Sequence, residues 1–374
     1  MLVALGACGR IGFSDLVGGP GAPDASDAPQ LGLTATPPTI NLGSKAQLAV
    51  TGGTPPYTFT VAGAGVMVGS AFVAPSRAGE STVQVTDAVG AMGSTVVSYH
   101  GDQIFVVGGI VAGTEDASVL VSSDGGVTWS QAGSLPAPRA NGALVVYDDA
   151  MIFMGGLSPA GAPTPDVYRS TDGSTWTRIG SLPIANTGFT ATVHLGEIWF
   201  VGGATSAGNG GTAYHSADGI TWTAAPAAMP VVRHEHDTFS RDGSLYVLGG
   251  HGDAGFLDDI AITTDGTSWS APAERLTFAS DFPAAGELGD LVIRTCGTGC
   301  TSTETSTDLI HWTAAAPLPD GDRESPALLG IGDRMLLIGG GSTVQATTDG
   351  SAWTQIGALP ASRTRTGAVQ FTPH

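Results

Sequence analysis

The 374 residues carry a formal net charge of −19, from 33 acidic against 14 basic side chains. That balance repels phosphate backbones and anionic lipid surfaces, so nucleic acid is not an expected partner. With 56 glycines, 42% hydrophobic and only 13% charged residues, the chain reads as short apolar strands divided by turns: an all-β composition of one large repeat domain and a smaller companion.

The chain opens Met1-Leu2-Val3-Ala4-Leu5-Gly6-Ala7-Cys8. Leu5-Gly6-Ala7-Cys8 resembles the lipobox of bacterial lipoproteins, in which small residues precede a Cys that becomes diacylated. The resemblance implies that Cys8 is the lipidation site and that residues 1–8 are the end of a signal peptide whose start lies upstream. It also implies contact with a membrane only through that lipid. Gly9 rather than Asp follows, which implies delivery to the outer membrane or cell surface. No later apolar run approaches the roughly 18 residues of a membrane helix.

Residues 9–30 are rich in Gly, Pro, Ala, Ser and Asp, with no periodicity that buries a face, and read as a flexible linker. Over residues 31–99 short alternating strands appear, such as Gln47-Leu48-Ala49-Val50 and Thr82-Val83-Gln84-Val85, which predict a small β-sandwich. Its segments GGTPPYTFTV and VQVTDAVGAMGSTVVSY resemble bacterial Ig-like domains, which implies a spacer.

A repeat fills residues 100–374. Apolar strands end in glycine pairs at Gly108-Gly109, Gly155-Gly156, Gly202-Gly203, Gly249-Gly250 and Gly339-Gly340, with Cys296-Gly297 in the remaining slot. Tryptophans follow in step: Trp129, Trp176, Trp222, Trp269, Trp312 and Trp353. Periods of this size signify a propeller or solenoid. Each repeat divides into four strands, so six four-stranded blades are predicted. The first blade lacks a first strand of its own, and Thr366 to Phe371 is expected to return and complete it, which removes an open edge.

Glycine pairs, the late Trp, and Leu-Pro or Met-Pro with Arg three residues on (Pro136 and Arg139, Pro230 and Arg233, Pro360 and Arg363) resemble kelch repeats. The third turn departs from that pattern. It carries [ST]-x-Asp-Gly before Trp, as at Ser170, Asp172 and Gly173, and the copy at Ser122, Asp124, Gly126 and Trp129 resembles the Asp-box of sialidases. Such a turn needs no ligand: Asp accepts backbone N–H bonds, Gly takes positive φ, and the hydroxyl ties the incoming strand to the hairpin.

In such blades the start of the first strand and the loop after the second share the face where propellers mostly bind. The binding-rim residues expected there are Arg139, Asn141, Arg233, His234, His236, His251, Asp281, Glu324 and Arg365. His234 and His236 alternate onto one side of a strand beside His251, a weak candidate metal triad against the alternative of solvated histidines. The recurring Arg139, Arg233, Arg323 and Arg363 follow the repeat, which suits ties between blades better than ligand clamps. Cys296 and Cys300 bracket a turn that a disulfide can span, which fits an oxidising compartment.

These readings predict a monomeric binding module, held at the cell surface, for a glycan or a protein, with no cofactor. The alternative is a carbohydrate-active enzyme. Sialidases need a rim Tyr, and Tyr147, Tyr168, Tyr214 and Tyr246 fall within strands. A resemblance to kelch-type sialic acid mutarotases implies acid/base work by Arg233, Glu235 and Glu324.

Overall fold

The computed structural model describes residues 31–75, 79–321 and 323–373; the lipobox Cys8 and the linker at 9–30 lie outside them. Among the described residues the regular elements are all strands, in open sheets none of which closes on itself.

Two four-stranded sheets take up the segment to Tyr99. One contains Gly32–Thr36, Lys45–Thr51, Ala71–Val73 and Val66–Val68; the other contains Thr39–Ile40, Met92–Tyr99, Gly79–Thr86 and Thr58–Ala62. Alternation places Leu33, Leu48, Phe72, Val83, Val85 and Val97 in one core.

Six sheets follow. Their first strands are Gly367–Phe371, Ala143–Tyr147, Thr190–His194, Asp237–Arg241, Ala284–Leu288 and Ala327–Ile331, and five of the sheets have four strands in an antiparallel meander. The first sheet takes its first strand from the C-terminus: Gly367–Phe371 pairs with Gln103–Val107 over five residues. The fourth sheet has three strands where four are expected. Its last segment makes only an isolated bridge, Ser270 to Ile262, because Pro272 offers no N–H to extend the ladder.

Hydrophobic clusters sit between neighbouring sheets, each with one of the periodic tryptophans. Trp222 packs where Ile152 and Phe200 meet, between the second and third sheets. Trp129 packs with Ile104 and Val106 of the first sheet and Leu336 and Ile338 of the sixth. Chain ends thus share a core as well as a ladder. The arrangement is propeller-like and buries the faces that isolated hairpins would leave wet.

The repeated polar residues hold this frame. In all six third turns the Ser or Thr hydroxyl accepts the N–H of the left-handed residue: Ser122 from Gly126 (2.9 Å), Ser170 from Gly173 (2.8 Å), Ser216 from Gly219 (2.8 Å), Thr263 from Gly266 (2.8 Å), Ser306 from Leu309 (2.9 Å) and Thr347 from Gly350 (2.9 Å). Leu309 stands in the glycine slot at φ +64°. The glycine pairs have a different cause. Gly202 and Gly203 are left-handed, and a Cβ on Gly203 would lie 2.2 Å from the Asn186 carboxamide. The first glycine of a pair gives its carbonyl to a buried side chain: Gly202 to Asn186 Nδ2 (2.8 Å), Gly249 to Arg233 Nη1 (2.9 Å) and Gly339 to Arg323 Nη1 (2.9 Å).

The six first strands surround two stacked cavities. An upper one of about 200 Å³ is lined by the strand starts, and a lower one of about 190 Å³ by the middles of the same strands. Ala285, Leu328 and Ala368 line both. Leu42 of the N-terminal unit lines the lower cavity, and Asp149 N–H donates to Ser44 Oγ (2.8 Å) beside it. The sandwich therefore covers the end of the axis remote from the upper mouth.

Candidate functional site

The upper mouth is built on a ring of left-handed residues, one ahead of each first strand: Asn141, Gly188, Glu235, Phe282, Ser325 and Arg365, with φ between +47° and +62°. Backbone bonds link neighbours around it. Gly188 N–H donates to Asn141 O (2.9 Å), Asn141 N–H to Arg365 O (2.9 Å), and Arg365 N–H to Ser325 O (3.2 Å). Left-handed backbone at a non-glycine residue costs of order 1 kcal/mol or more, and five of these six residues, all of which line the cavity, bear it.

Three ring side chains are polar and close to partners. Asn141 Nδ2 donates to Glu235 Oε1 (3.3 Å). Arg365 lies over the Phe282 ring, 4.2 Å from its centroid, and its Nε donates to Glu324 Oε1 (2.9 Å). The Glu235 side chain is only 9% exposed. Burial, with the Asp281 carboxylate as hydrogen-bond partner and neighbouring charge, pushes its pKa up to about 9 despite Arg365 and Asn141.

Beside this pair stand two imidazoles. His234 and His251 form a cross-strand bridge with two backbone bonds, His234 N–H to His251 O (3.0 Å) and the reverse (2.8 Å). Their rings stack at 5.0 Å, and Phe256, 55% exposed, meets His251 edge-on at 5.0 Å. His234 Nε2 is 3.6 Å from Glu235 Oε2, and His251 Nδ1 is 3.9 Å from Asp281 Oδ1.

Of the expected rim residues, the structure gathers Asn141, His234, His251, Asp281 and Arg365 around Glu235, and Glu324 joins through Arg365. It buries the other three, of which His236 lines the wall of the upper cavity. Arg233 is fully buried, with both terminal nitrogens on Asp259 (2.7 and 2.8 Å), so it reaches no ligand and the acid/base role expected of it has no access. Arg139 is buried against Asp166 and Tyr168. His236 lies beneath Gly202 and is buried, with a pKa driven down to about 3 by desolvation. The expected triad of His234, His236 and His251 fails because Glu235 is left-handed, which breaks the alternation that would put 234 and 236 on one side.

Sequence reasoning missed a second buried cluster. Arg294, wholly enclosed, pairs with Glu304 (2.7 Å) and with Asp237 (3.3 Å) and takes the Ser280 hydroxyl (3.0 Å). Ser280 stands where other repeats carry the tie arginine, and that vacancy in the pattern was the available signal. Cys296 and Cys300 are joined by a disulfide at the neighbouring strand end.

No protein-family description and no curated protein matches the sequence. Among the solved structures that match in shape, that of YjhT is similar at a TM-score of 0.55 and 14% identity, over 68% of this chain and 97% of that one. A likeness at that identity speaks for a propeller-like fold alone.

Proposed function

We propose that the chain is a six-bladed, closed propeller on an Ig-like spacer, held at the cell surface through Cys8, and that its upper mouth binds a glycan. The closure is supported by the ladder between Gly367–Phe371 and Gln103–Val107 and by the core that the first and sixth sheets share. The disulfide at Cys296 and Cys300 suits an oxidising compartment.

The observation that carries the ligand reading is the polar ring over a cavity covered at its far end. Asn141, Glu235 and Arg365 offer an amide, a carboxyl and a guanidinium to one space of about 200 Å³. Sites that enclose drug-sized ligands run to about 300–1,000 Å³, so this one takes a single small polar unit and leaves the rest of a chain outside. The exposed Phe256 ring beside His251 gives that remainder an apolar face to rest on.

A glycan array probed with the full chain carrying Cys8→Ser tests the reading. Binding should be found and should fall at least about tenfold, roughly 1.4 kcal/mol, in Asn141→Ala and Arg365→Ala. No binding on the array, or binding indifferent to both substitutions, overturns it. Turnover of a bound sugar would move the protein to the carbohydrate-active enzymes. For the anchor, fatty-acid labelling of cells expressing the protein should mark wild type and not Cys8→Ser; equal labelling refutes it.

A further inference from the structure

The four side chains His234, Glu235, His251 and Asp281 come from two consecutive repeats and meet at one edge of the mouth. Ligating atoms of His234, Glu235 and His251 all lie within 4.8 Å of one another, and Asp281 Oδ1 extends the group from His251 Nδ1 at 3.9 Å. One donor of the set, Asp281 Oδ1, is buried without a hydrogen-bond partner. Buried polar atoms left so are costly and call for an explanation.

We propose that these four residues bind one divalent transition cation of the zinc, cobalt or nickel class. Two imidazoles with two carboxylates make a mixed nitrogen and oxygen donor set, which suits those ions, whereas calcium and magnesium take oxygen ligands almost exclusively. The ladder fixes the imidazoles: His234 and His251 are opposite each other in a hydrogen-bonded bridge, so their side chains emerge on one face. Tetrahedral zinc, with ligands at about 2.0–2.1 Å, needs donor separations of roughly 3.3 Å. The His234 to Glu235 and His251 to Asp281 distances of 3.6 and 3.9 Å are close to that. The His251 side chain, 36% exposed, has room to turn the last part of the way.

The inference does not depend on the glycan reading, and the test uses the cation alone. The full chain carrying Cys8→Ser, stripped by chelator, is titrated with Co²⁺ and then with Zn²⁺. One equivalent of Co²⁺ should give the visible absorption of a four- or five-coordinate ion, and Zn²⁺ should bleach it. His251→Ala and Asp281→Asn should each weaken Zn²⁺ binding at least about tenfold, as loss of a metal contact does. His311→Ala, which removes an exposed imidazole from a turn on Asp308, should leave it as in wild type. The absence of a low-coordinate cobalt spectrum overturns the site. So does unchanged affinity in both His251→Ala and Asp281→Asn, or an equal loss in His311→Ala.

Discussion

Asn41 and Thr372, 331 positions apart, exchange two hydrogen bonds: Thr372 N–H donates to Asn41 Oδ1 (2.8 Å) and Asn41 Nδ2 donates to Thr372 O (3.2 Å). One side chain of the N-terminal unit thereby completes the backbone pairing of the last strand. Asn41→Ala leaves a backbone N–H and C=O without those bonds, at a cost of about 1–3 kcal/mol. Limited proteolysis should cut the variant faster near its C-terminus; equal cleavage would show the two units to be uncoupled there.

The last strand carries a second consequence. Ending the chain after Arg365 removes Gly367–Phe371 and bares the edge of Gln103–Val107, whose residues from Ile104 on are buried in the whole protein. The truncated protein should aggregate or melt well below the parent. Coincident melting curves at the same concentration would refute closure by this strand.

Two arginines near the mouth should behave oppositely. Arg233 is enclosed and paired bidentately to Asp259, so Arg233→Ala strands a carboxylate and should cost about 3–5 kcal/mol of stability. Arg365, whose side chain is 25% exposed, should tolerate Ala to within about 1 kcal/mol while ligand binding is lost. Thermal melts of the two variants side by side check the contrast, and a reversed order would mean that the buried tie has been misread.

His194 predicts a pH dependence. Its ring is buried, with Nε2 against Thr264 O (3.0 Å) and Nδ1 against Ser240 Oγ (2.9 Å), and desolvation holds its pKa below the usual 6.5. The unfolded chain takes up a proton below pH 6.5 that the folded state resists, so stability is full above that value and declines as pH falls toward the folded pKa. Urea midpoints at pH 7.5 and pH 5.5 should differ more in wild type than in His194→Gln. Equal differences would assign the acid sensitivity to other groups.

Much of the frame was legible because a propeller writes its geometry along the chain. Gly108, Trp129 and Asp124 recur because every blade needs the same left-handed corner, the same inter-sheet ring and the same turn. The binding mouth was half legible. Asn141, Glu235 and Arg365 of the ring were among the expected site residues, while Gly188, Phe282 and Ser325 were not. Contacts between blades were not legible at all. That Glu235 meets Asp281, or Asp237 meets Arg294, depends on how one sheet rotates against the next, which no period along the chain records. The burial of His236 hung on one left-handed residue before it.

The sandwich lies against one end of the axis and the polar mouth opens at the other. Were the chain anchored through Cys8, as proposed, the mouth would be the end farther from the anchor. Copies crowded on one surface would then offer many cups to the same polymer. A polymer touching several at once gains effective concentration with each contact, so firm adhesion needs only a weak grip from any one of them.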